Sequence, residues 1–182
     1  MPAYAYAILA AGWLAWLTPF ILARRRSQPA KTVDRRARWG LLLQAIGYSL
    51  LWQNRFWERP LPGWRVPLSI GLLLIAVLLS WTAPRALGRH WRLDAGLSSD
   101  HELVTWGPYR LVRHPIYTST LCMLFGTGLL ITTWPLLALS AVVFIAGTEI
   151  RVRIEDKLLA SRFGERFEDY RRKVPAYIPF LK

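Results

Sequence analysis

The sequence predicts an all-α, polytopic membrane protein with about five transmembrane helices. Three observations predict this class. The chain is rich in apolar residues (53%) and contains ten tryptophans, yet its formal net charge is +13. Its apolar residues are grouped into long runs, and its basic residues are concentrated between those runs. Since about 20 helical residues cross a hydrocarbon core of roughly 30 Å, runs of this kind predict membrane-spanning helices joined by charged connections.

The first helix is predicted over residues 3–23, a run without any charged residue that ends at Arg24-Arg25-Arg26. A secretory signal peptide would carry its basic residues before the apolar stretch and would be shorter in its apolar core. Here the basic cluster follows the run, so we expect a retained transmembrane helix.

Two further spans complete an N-terminal unit, residues 1–83, whose first two helices are joined by the basic connector 24–38. The second run covers 39–52 and can extend to Trp57. The third covers 66–83 and has tryptophan near both ends, as is typical of the membrane interface. The polar interruptions of the second run are Gln44, Gln53 and Asn54.

The C-terminal unit, residues 84–182, contains a less regular apolar pair over 115–148. Its first run begins at Pro115 and reaches Thr133, where Trp134-Pro135 interrupts the pattern. The second continues to Thr148, which is short for a span. It can cross only if its helix continues past Glu149 into the polar region that follows.

The positions of the charges orient the chain. If all five runs span, the connections on one side carry 21 of the lysines and arginines, and those on the other side carry three. Because cytoplasmic loops are enriched in Lys and Arg, we expect the N-terminus outside and the C-terminus in the cytoplasm. The net charge then requires no nucleic acid as a partner, and the basic connections favour contact with membrane lipids.

Cys122 is the single cysteine of the chain and lies inside the fourth apolar run. It cannot form an internal disulfide, and no Cys or His cluster has the spacing of a metal site. We expect core packing for this residue and no metal centre.

The loop that precedes the fourth run is unusually rigid. Gly107-Pro108 forms a turn dipeptide, and the residue before a proline is disfavoured in a helix. His114 is therefore expected in a non-helical conformation, with Pro115 as the first helical residue. The free N–H groups of such a helix start favour an anion such as a carboxylate. The alternative is that Arg113 binds a lipid phosphate and His114 only caps the helix.

The C-terminal region adds charged residues at helical spacing. Arg151 and Glu155 are four residues apart, and Glu149, Arg153 and Asp156 share another face. Ion pairs that stabilise a helix leaving the bilayer would explain this pattern equally well. We expect this helix to end at Gly164, and a short amphipathic stretch to reach Tyr170. The proline-punctuated "VPAYIPFL" should lie against the protein.

Together, the 84–118 loop and the C-terminal helix predict a pocket that faces the cytoplasm. It would combine an anion-friendly helix start with the carboxylate of Glu155. Such a pocket suits the head of a zwitterionic amino acid, with its carboxylate at the helix start and its ammonium at Glu155.

These two segments resemble the isoprenylcysteine carboxyl methyltransferase family. "HELVTWGPYRLVRHPIY" is similar to the family's His-x-Leu-Val, Gly-x-Tyr and Arg-His-Pro-x-Tyr elements, in order and with their spacing. "RVRIEDKLLASRFGERFEDYRRKVPAYIPFL" resembles the family's C-terminal helix and tail. The resemblance covers residues 85–182, and its Arg-His-Pro-x-Tyr element is shared with phospholipid methyltransferases.

The resemblance implies an integral enzyme of a bacterial or archaeal inner membrane that uses S-adenosylmethionine. It implies Arg151 and Glu155 as catalytic residues, with Arg151 binding the substrate and Glu155 holding the cofactor's ammonium. The remaining cofactor contacts that it implies are Asp94, His101, Glu102, Leu103, Val104, Tyr109, His114, Pro115, Ile116 and Tyr117.

The acceptor implied by the resemblance is the carboxylate of a prenylcysteine-like or related amphiphile that enters from the bilayer. Methyl transfer from a sulfonium is an in-line displacement that needs positioning and exclusion of water. A carboxylate or thiolate is already anionic, whereas an amine would need a base. Three alternatives stay open: a methyltransferase for a phospholipid or another small lipid, an NADPH-dependent membrane enzyme of the sterol reductase kind, and a membrane protein without catalytic activity.

Overall fold

The computed structural model describes residues 2–24, 32–53, 61–97 and 100–179. Helices account for most of these residues, which confirms the predicted all-α class. The helices are α1 (Ala3–Arg24), α2 (Ala37–Leu50), α3 (Arg65–Leu87), α4 (Pro115–Ile131), α5 (Trp134–Phe163) and α6 (Glu165–Lys173).

Three helices of the described chain, α1, α3 and α5, are long and apolar enough to cross a membrane, and α4 is a shorter apolar helix. This confirms an integral membrane protein. The second predicted span corresponds to α2, whose 14 residues extend only about 21 Å at 1.5 Å per residue. Its predicted extension to Trp57 falls on residues 54–60, outside the described part of the chain. The total of five spans stays a prediction.

The break between α4 and α5 lies where the sequence predicted it. Thr132 and Thr133 are extended, with ψ values of 167° and 157°. Pro135 follows in the first turn of α5, where its missing N–H leaves no helical bond unmade. From there α5 continues without interruption for 30 residues, or about 45 Å. The helix does continue past Glu149, which was the condition for this run to cross, and the polar last third of α5 extends beyond the apolar part of the bundle.

α2 packs against α5 in antiparallel orientation and at backbone contact. A Cβ atom on Gly40 would lie 2.5 Å from the Gly147 carbonyl oxygen and 2.6 Å from Arg151 Cγ. Further along, a Cβ on Gly47 would lie 2.9 Å from the Ser140 carbonyl oxygen. Small residues at these positions are what allow two helix backbones to approach so closely.

The other half of the bundle packs α3 against α4 and α1. Ser69 Oγ donates to the Gly126 carbonyl at 2.6 Å, and Trp16 Nε1 donates to Ser119 Oγ at 2.8 Å. Phe144 and Leu124 are fully buried in the core. Because lipid offers no hydrogen bonds, Ser69 and Trp16 find their partners on neighbouring helices.

The connections at the charged end of the bundle are also ordered against one another. Thr32–Val33 (β1) pairs antiparallel with Gly96–Leu97 (β2), and the Asp34 N–H donates to the Ala95 carbonyl at 3.0 Å. This two-residue pairing ties the α1–α2 connection to the α3–α4 connection. As predicted, Gly164 ends α5 with φ of +53°, a left-handed conformation that favours glycine, and α6 follows.

We expect Gly40→Ala to destabilise the protein, because the new methyl group meets the backbone of Gly147 and the stem of Arg151. Overpacking of this kind costs about 1–3 kcal/mol, which would appear as a lower unfolding temperature in detergent. Gly71→Ala in α3 is the matched control, since its Cβ would meet nothing within 4 Å. An equal effect of the two substitutions would contradict the close packing of α2 on α5.

Candidate active site

A cavity of about 540 Å³ opens at the charged end of the bundle. It lies between α1 and α2 on one side, and the α3–α4 connection, the start of α4 and the last third of α5 on the other. The sequence-predicted site residues that line it are Asp94, His101, Glu102, Leu103, Val104, Tyr109, His114, Ile116, Tyr117, Arg151 and Glu155. Pro115 is buried as the first residue of α4 and does not form part of the wall.

His114 lies between two carboxylates of α5. Its Nε2 is 2.8 Å from Asp156 Oδ1, and its Nδ1 is 3.3 Å from Glu155 Oε2. Its backbone is non-helical (φ −124°, ψ 65°), as the following Pro115 predicted. Burial by itself lowers the pKa of His114, but the hydrogen bonds to Asp156 and Glu155 outweigh it and raise the pKa to about 9. His114 is therefore an imidazolium at neutral pH, with both nitrogens donating.

Asp156 joins three segments that are distant in sequence. Its second oxygen accepts a hydrogen bond from Arg113 Nη2 at 2.8 Å. Arg113 Nη1 in turn donates to the Val174 carbonyl at 2.5 Å, just after α6. Both side chains of the Arg113–Asp156 pair are about nine-tenths buried, so this ion pair is largely shielded from water. The sequence placed Asp156 on one helix face with Glu149 and Arg153. In the structure those two residues pair with each other at 3.3 Å on the surface, whereas Asp156 pairs with Arg113.

Glu155 is held from three sides. The Tyr117 hydroxyl donates to Glu155 Oε1 at 2.5 Å and itself accepts from Arg151 Nε at 2.6 Å. The predicted i,i+4 pair of Arg151 and Glu155 is present, but at 3.7 Å it is looser than these contacts. Arg151 Nη2 also donates to the Leu93 carbonyl at 2.7 Å, which ties the α3–α4 connection to α5.

The C-terminal tail covers the start of α4. The N–H groups of Arg113 and His114 donate to the Pro175 and Ala176 carbonyls, each at 2.8 Å. Tyr177 is buried, and its hydroxyl donates to Glu149 Oε1 at 2.7 Å. The expected packing of this segment against the protein is confirmed over residues 174–178. Two backbone donors next to the helix start are therefore already bonded to the tail.

His101 presents an unsatisfied polar atom at the cavity. Within the described chain, its buried Nδ1 has no hydrogen-bond partner. Burial, followed by the nearby His90 and Arg92, lowers the pKa of His101 to about 4. Its ring lies 5.0 Å from the His90 ring, between centroids. A neutral imidazole with a free buried nitrogen is the kind of group that a bound ligand satisfies.

The sequence did not single out the wall contributed by the N-terminal helices. This wall includes Trp16, Phe20, Leu41, Gln44 and Tyr48. An apolar run does not reveal which of its faces meets a cavity, so the sequence assigned these residues only to membrane spans. The available signal was Gln44, a polar interruption in an apolar run, since amides in membrane helices usually bond to a partner.

Among the described residues, no group of three or more His, Cys, Asp or Glu side chains is arranged to hold a metal ion. At the polar end of the cavity, the side chains of His114, Tyr117, Arg151 and Glu155 instead bond to one another.

The chain is similar to known membrane methyltransferases and to two bacterial resistance proteins. The model of the phospholipid methyltransferase family matches residues 64–166. A nickel-cobalt-cadmium resistance protein, NccN, from Alcaligenes xylosoxydans xylosoxydans is 31% identical over 91% of this chain and 74% of its own length. A cobalt-zinc-cadmium resistance protein, CzcN, from Cupriavidus metallidurans is 33% identical over 79% of this chain and 62% of its own.

A protein-S-isoprenylcysteine O-methyltransferase from Schizosaccharomyces pombe is 37% identical over 46% of this chain, which corresponds to 36% of its own length. The chain thus spans less than two thirds of CzcN and about a third of the yeast enzyme. The matched family segment includes the whole of α3, α4 and α5, with the polar residues of α4 and α5 just described. The chain belongs to the phospholipid methyltransferase family, as an integral membrane protein related to the isoprenylcysteine carboxyl methyltransferases.

Proposed function

We propose that this protein transfers a methyl group from S-adenosylmethionine to an amphiphilic acceptor that enters from the bilayer. The observation that carries the proposal is the carboxylate of Glu155 in a cavity of about 540 Å³, held there by His114, Tyr117 and Arg151. Membership of a methyltransferase family supports the same reaction.

The cavity has the volume and the polar groups that the cofactor requires. Ligand cavities of roughly 300–1,000 Å³ accommodate molecules of this size. Glu155 suits the ammonium group of the cofactor, and the unsatisfied nitrogen of His101 suits the hydrogen-bonding edge of the cofactor's adenine ring. Tyr109 and Trp91, which also line the cavity, offer flat apolar surfaces. When bound, S-adenosylmethionine supplies an electrophilic methyl group on a sulfonium.

The residues of the chain then have positioning roles. Tyr117 and Arg151 hold Glu155 in one orientation, and the Arg151 guanidinium orients an anionic acceptor. Neither His114 nor His101 is suited to deprotonate an amine, because His114 is already protonated at neutral pH and His101, with a pKa of about 4, is a weak base. A carboxylate or thiolate acceptor needs no such base, so these acceptors are favoured over an amine.

The apolar side of the cavity suits an acceptor from the bilayer. Leu17, Ile21 and Leu41 line the cavity, and each of these apolar side chains is exposed. A lipid chain in the membrane could therefore reach the cavity between α1 and α2. A prenylcysteine-like amphiphile fits this wall, and a small lipid is the second candidate. With the basic connections on the cytoplasmic side, the reaction would take place at the cytoplasmic surface.

Calorimetric titration in detergent tests the cofactor. We expect S-adenosylhomocysteine to bind and NADPH to give no signal above its heat of dilution. Binding of NADPH alone would support the reductase alternative, and binding of neither would refute an enzyme of either kind.

The methyl acceptor can be classed by the bond that forms. Purified protein in vesicles would receive methyl-labelled S-adenosylmethionine, with N-acetyl-S-farnesylcysteine or phosphatidylethanolamine as the acceptor. A methyl ester releases volatile labelled methanol in alkali, whereas an N-methyl group does not. We expect alkali-labile label on the first acceptor, and alkali-stable label on phosphatidylethanolamine alone would contradict the preference for a carboxylate.

Glu155→Gln should weaken S-adenosylhomocysteine binding by roughly tenfold or more, since a hydrogen bond to a charged group contributes about 1.5–3 kcal/mol. Glu149→Gln is the matched control: it makes the same change two turns earlier on α5, outside the cavity wall. Calorimetric dissociation constants of both variants provide the measurement. Equal affinities of the two variants would remove Glu155 from the ammonium site.

The unfolding temperature should fall as the pH rises from 6.5 to about 9. The pKa of His114 in the folded protein, about 9, exceeds the ordinary histidine value of 6.5 that applies in the unfolded chain. Its stabilising contribution is therefore complete below pH 6.5 and is lost as the pH rises through the folded value. His114→Gln should flatten this part of the profile.

The control for this profile is His101→Gln. Because the pKa of His101 is lowered to about 4, its contribution is complete above pH 6.5 and is lost only as the pH falls toward 4. Its variant should keep the wild-type slope between pH 6.5 and 9. If His114→Gln keeps that slope too, the ion pairs of His114 do not control stability in this range.

A further inference from the structure

Gln44 of α2 is a polar side chain on an otherwise apolar stretch of the cavity wall. It is only 8% exposed, and it lines the cavity together with Leu41, Ala45 and Tyr48 of the same helix. Its Nε2 donates to Thr148 Oγ1 on α5 at 2.9 Å. Gln44 lies outside residues 64–166, the segment that the family model matches.

The packing of α2 on α5 fixes where Gln44 lies relative to Arg151. A Cβ atom on Gly40 would lie 2.6 Å from Arg151 Cγ, and one on Gly147 would lie 2.9 Å from the backbone nitrogen of Gln44, so both glycines lie close to these atoms. Gln44 follows Gly40 by four residues, which is about 6 Å along the helix axis. Because α2 and α5 are antiparallel, Gln44 lies about one helical turn deeper in the apolar bundle than Arg151. Phe144, further along α5, continues the wall.

The amide of Gln44 retains unused hydrogen-bonding capacity. A primary amide has two N–H donors and a carbonyl acceptor, and the bond to Thr148 uses one donor. Within the described chain, the rest of this amide makes no hydrogen bond. The Tyr48 hydroxyl, one turn further along α2, donates its proton to the Thr120 carbonyl at 2.6 Å, so that proton is not available to the Gln44 carbonyl. Joining α2 to α5 would need only the bond to Thr148, yet the amide also reaches the cavity.

We propose that Gln44 is a specificity-determining residue that hydrogen-bonds a polar group of the acceptor, one turn deeper than the anionic group at Arg151. The acceptor is then an amphiphile that carries an amide, or a group of similar hydrogen-bonding character, between its anionic end and its apolar chain. A plain fatty acid would leave the Gln44 amide unpaired against methylene groups, which is costly in an apolar wall. This assignment rests on the proposed function only in calling the bound amphiphile an acceptor.

A pair of ligands that differ in one amide tests this proposal without catalysis. N-tetradecanoylglycine and heptadecanoate both carry a carboxylate on a chain of 17 atoms, and only the first has an amide. Their dissociation constants would be measured by equilibrium dialysis against the full chain in nanodiscs, with empty nanodiscs subtracted. We expect the wild-type protein to prefer the amide ligand, by roughly three- to tenfold for one net hydrogen bond.

Two variants separate recognition from helix packing. Gln44→Leu removes the amide from the cavity, and the preference should disappear. Thr148→Val breaks the same interhelical bond but leaves the amide in place, and Thr148 does not line the cavity. The preference should therefore survive in Thr148→Val. The ratio of two affinities within one variant cancels losses of folded protein that affect both ligands equally.

Three results would overturn the proposal: no preference in the wild type, no binding of either ligand, or equal loss of preference in the two variants. The titration with S-adenosylhomocysteine is a separate measurement. Cofactor binding without an amide preference would refute the role of Gln44 and leave methyl transfer intact. An amide preference without cofactor binding would do the reverse.

Discussion

The site depends on one buried interaction, the imidazolium of His114 between the carboxylates of Asp156 and Glu155. A buried charge is costly unless partners of opposite charge hold it. Here one cation shared by two carboxylates fixes the start of α4 against the last third of α5. Arg113 extends the pairing from Asp156 to the end of α6. Three segments thereby acquire one fixed arrangement, and Glu155 is left facing the cavity with its orientation determined.

The length of α5 makes this arrangement compatible with a membrane. The 30 residues of α5 extend about 45 Å, whereas a hydrocarbon core is roughly 30 Å thick. The apolar part of α5 can therefore lie among lipid-embedded helices while its charged part extends past them. The cavity forms at this transition and has an apolar wall and a polar end. Such a cavity suits the proposed reaction between a polar cofactor and an acceptor with a lipid chain.

The N-terminal helices contribute more than anchorage. α1 and α2 lie outside the segment matched by the family model, yet they supply much of the apolar wall. The contact of Gly40 with Gly147 holds α2 close enough for Gln44 to reach the cavity. Relatives of this chain bear names as different as metal resistance and isoprenylcysteine methylation. The wall from α1 and α2 is the part of the cavity to which the proposed acceptor specificity is assigned.

The sequence by itself determined the local structure: the all-α class, the break before Pro135, the non-helical His114 and the helix end at Gly164. Each follows from run length or from the backbone limits of proline and glycine, which act within a few residues. It also singled out motif residues that come together around one cavity. Only the tertiary structure decided their partners. The i,i+4 spacing predicted Arg151 beside Glu155, whereas Tyr117 and His114 lie closer to that carboxylate, because packing brings α4 against α5. The wall from α1 and α2 was likewise unpredictable, since an apolar run has no marker for the face that meets a cavity.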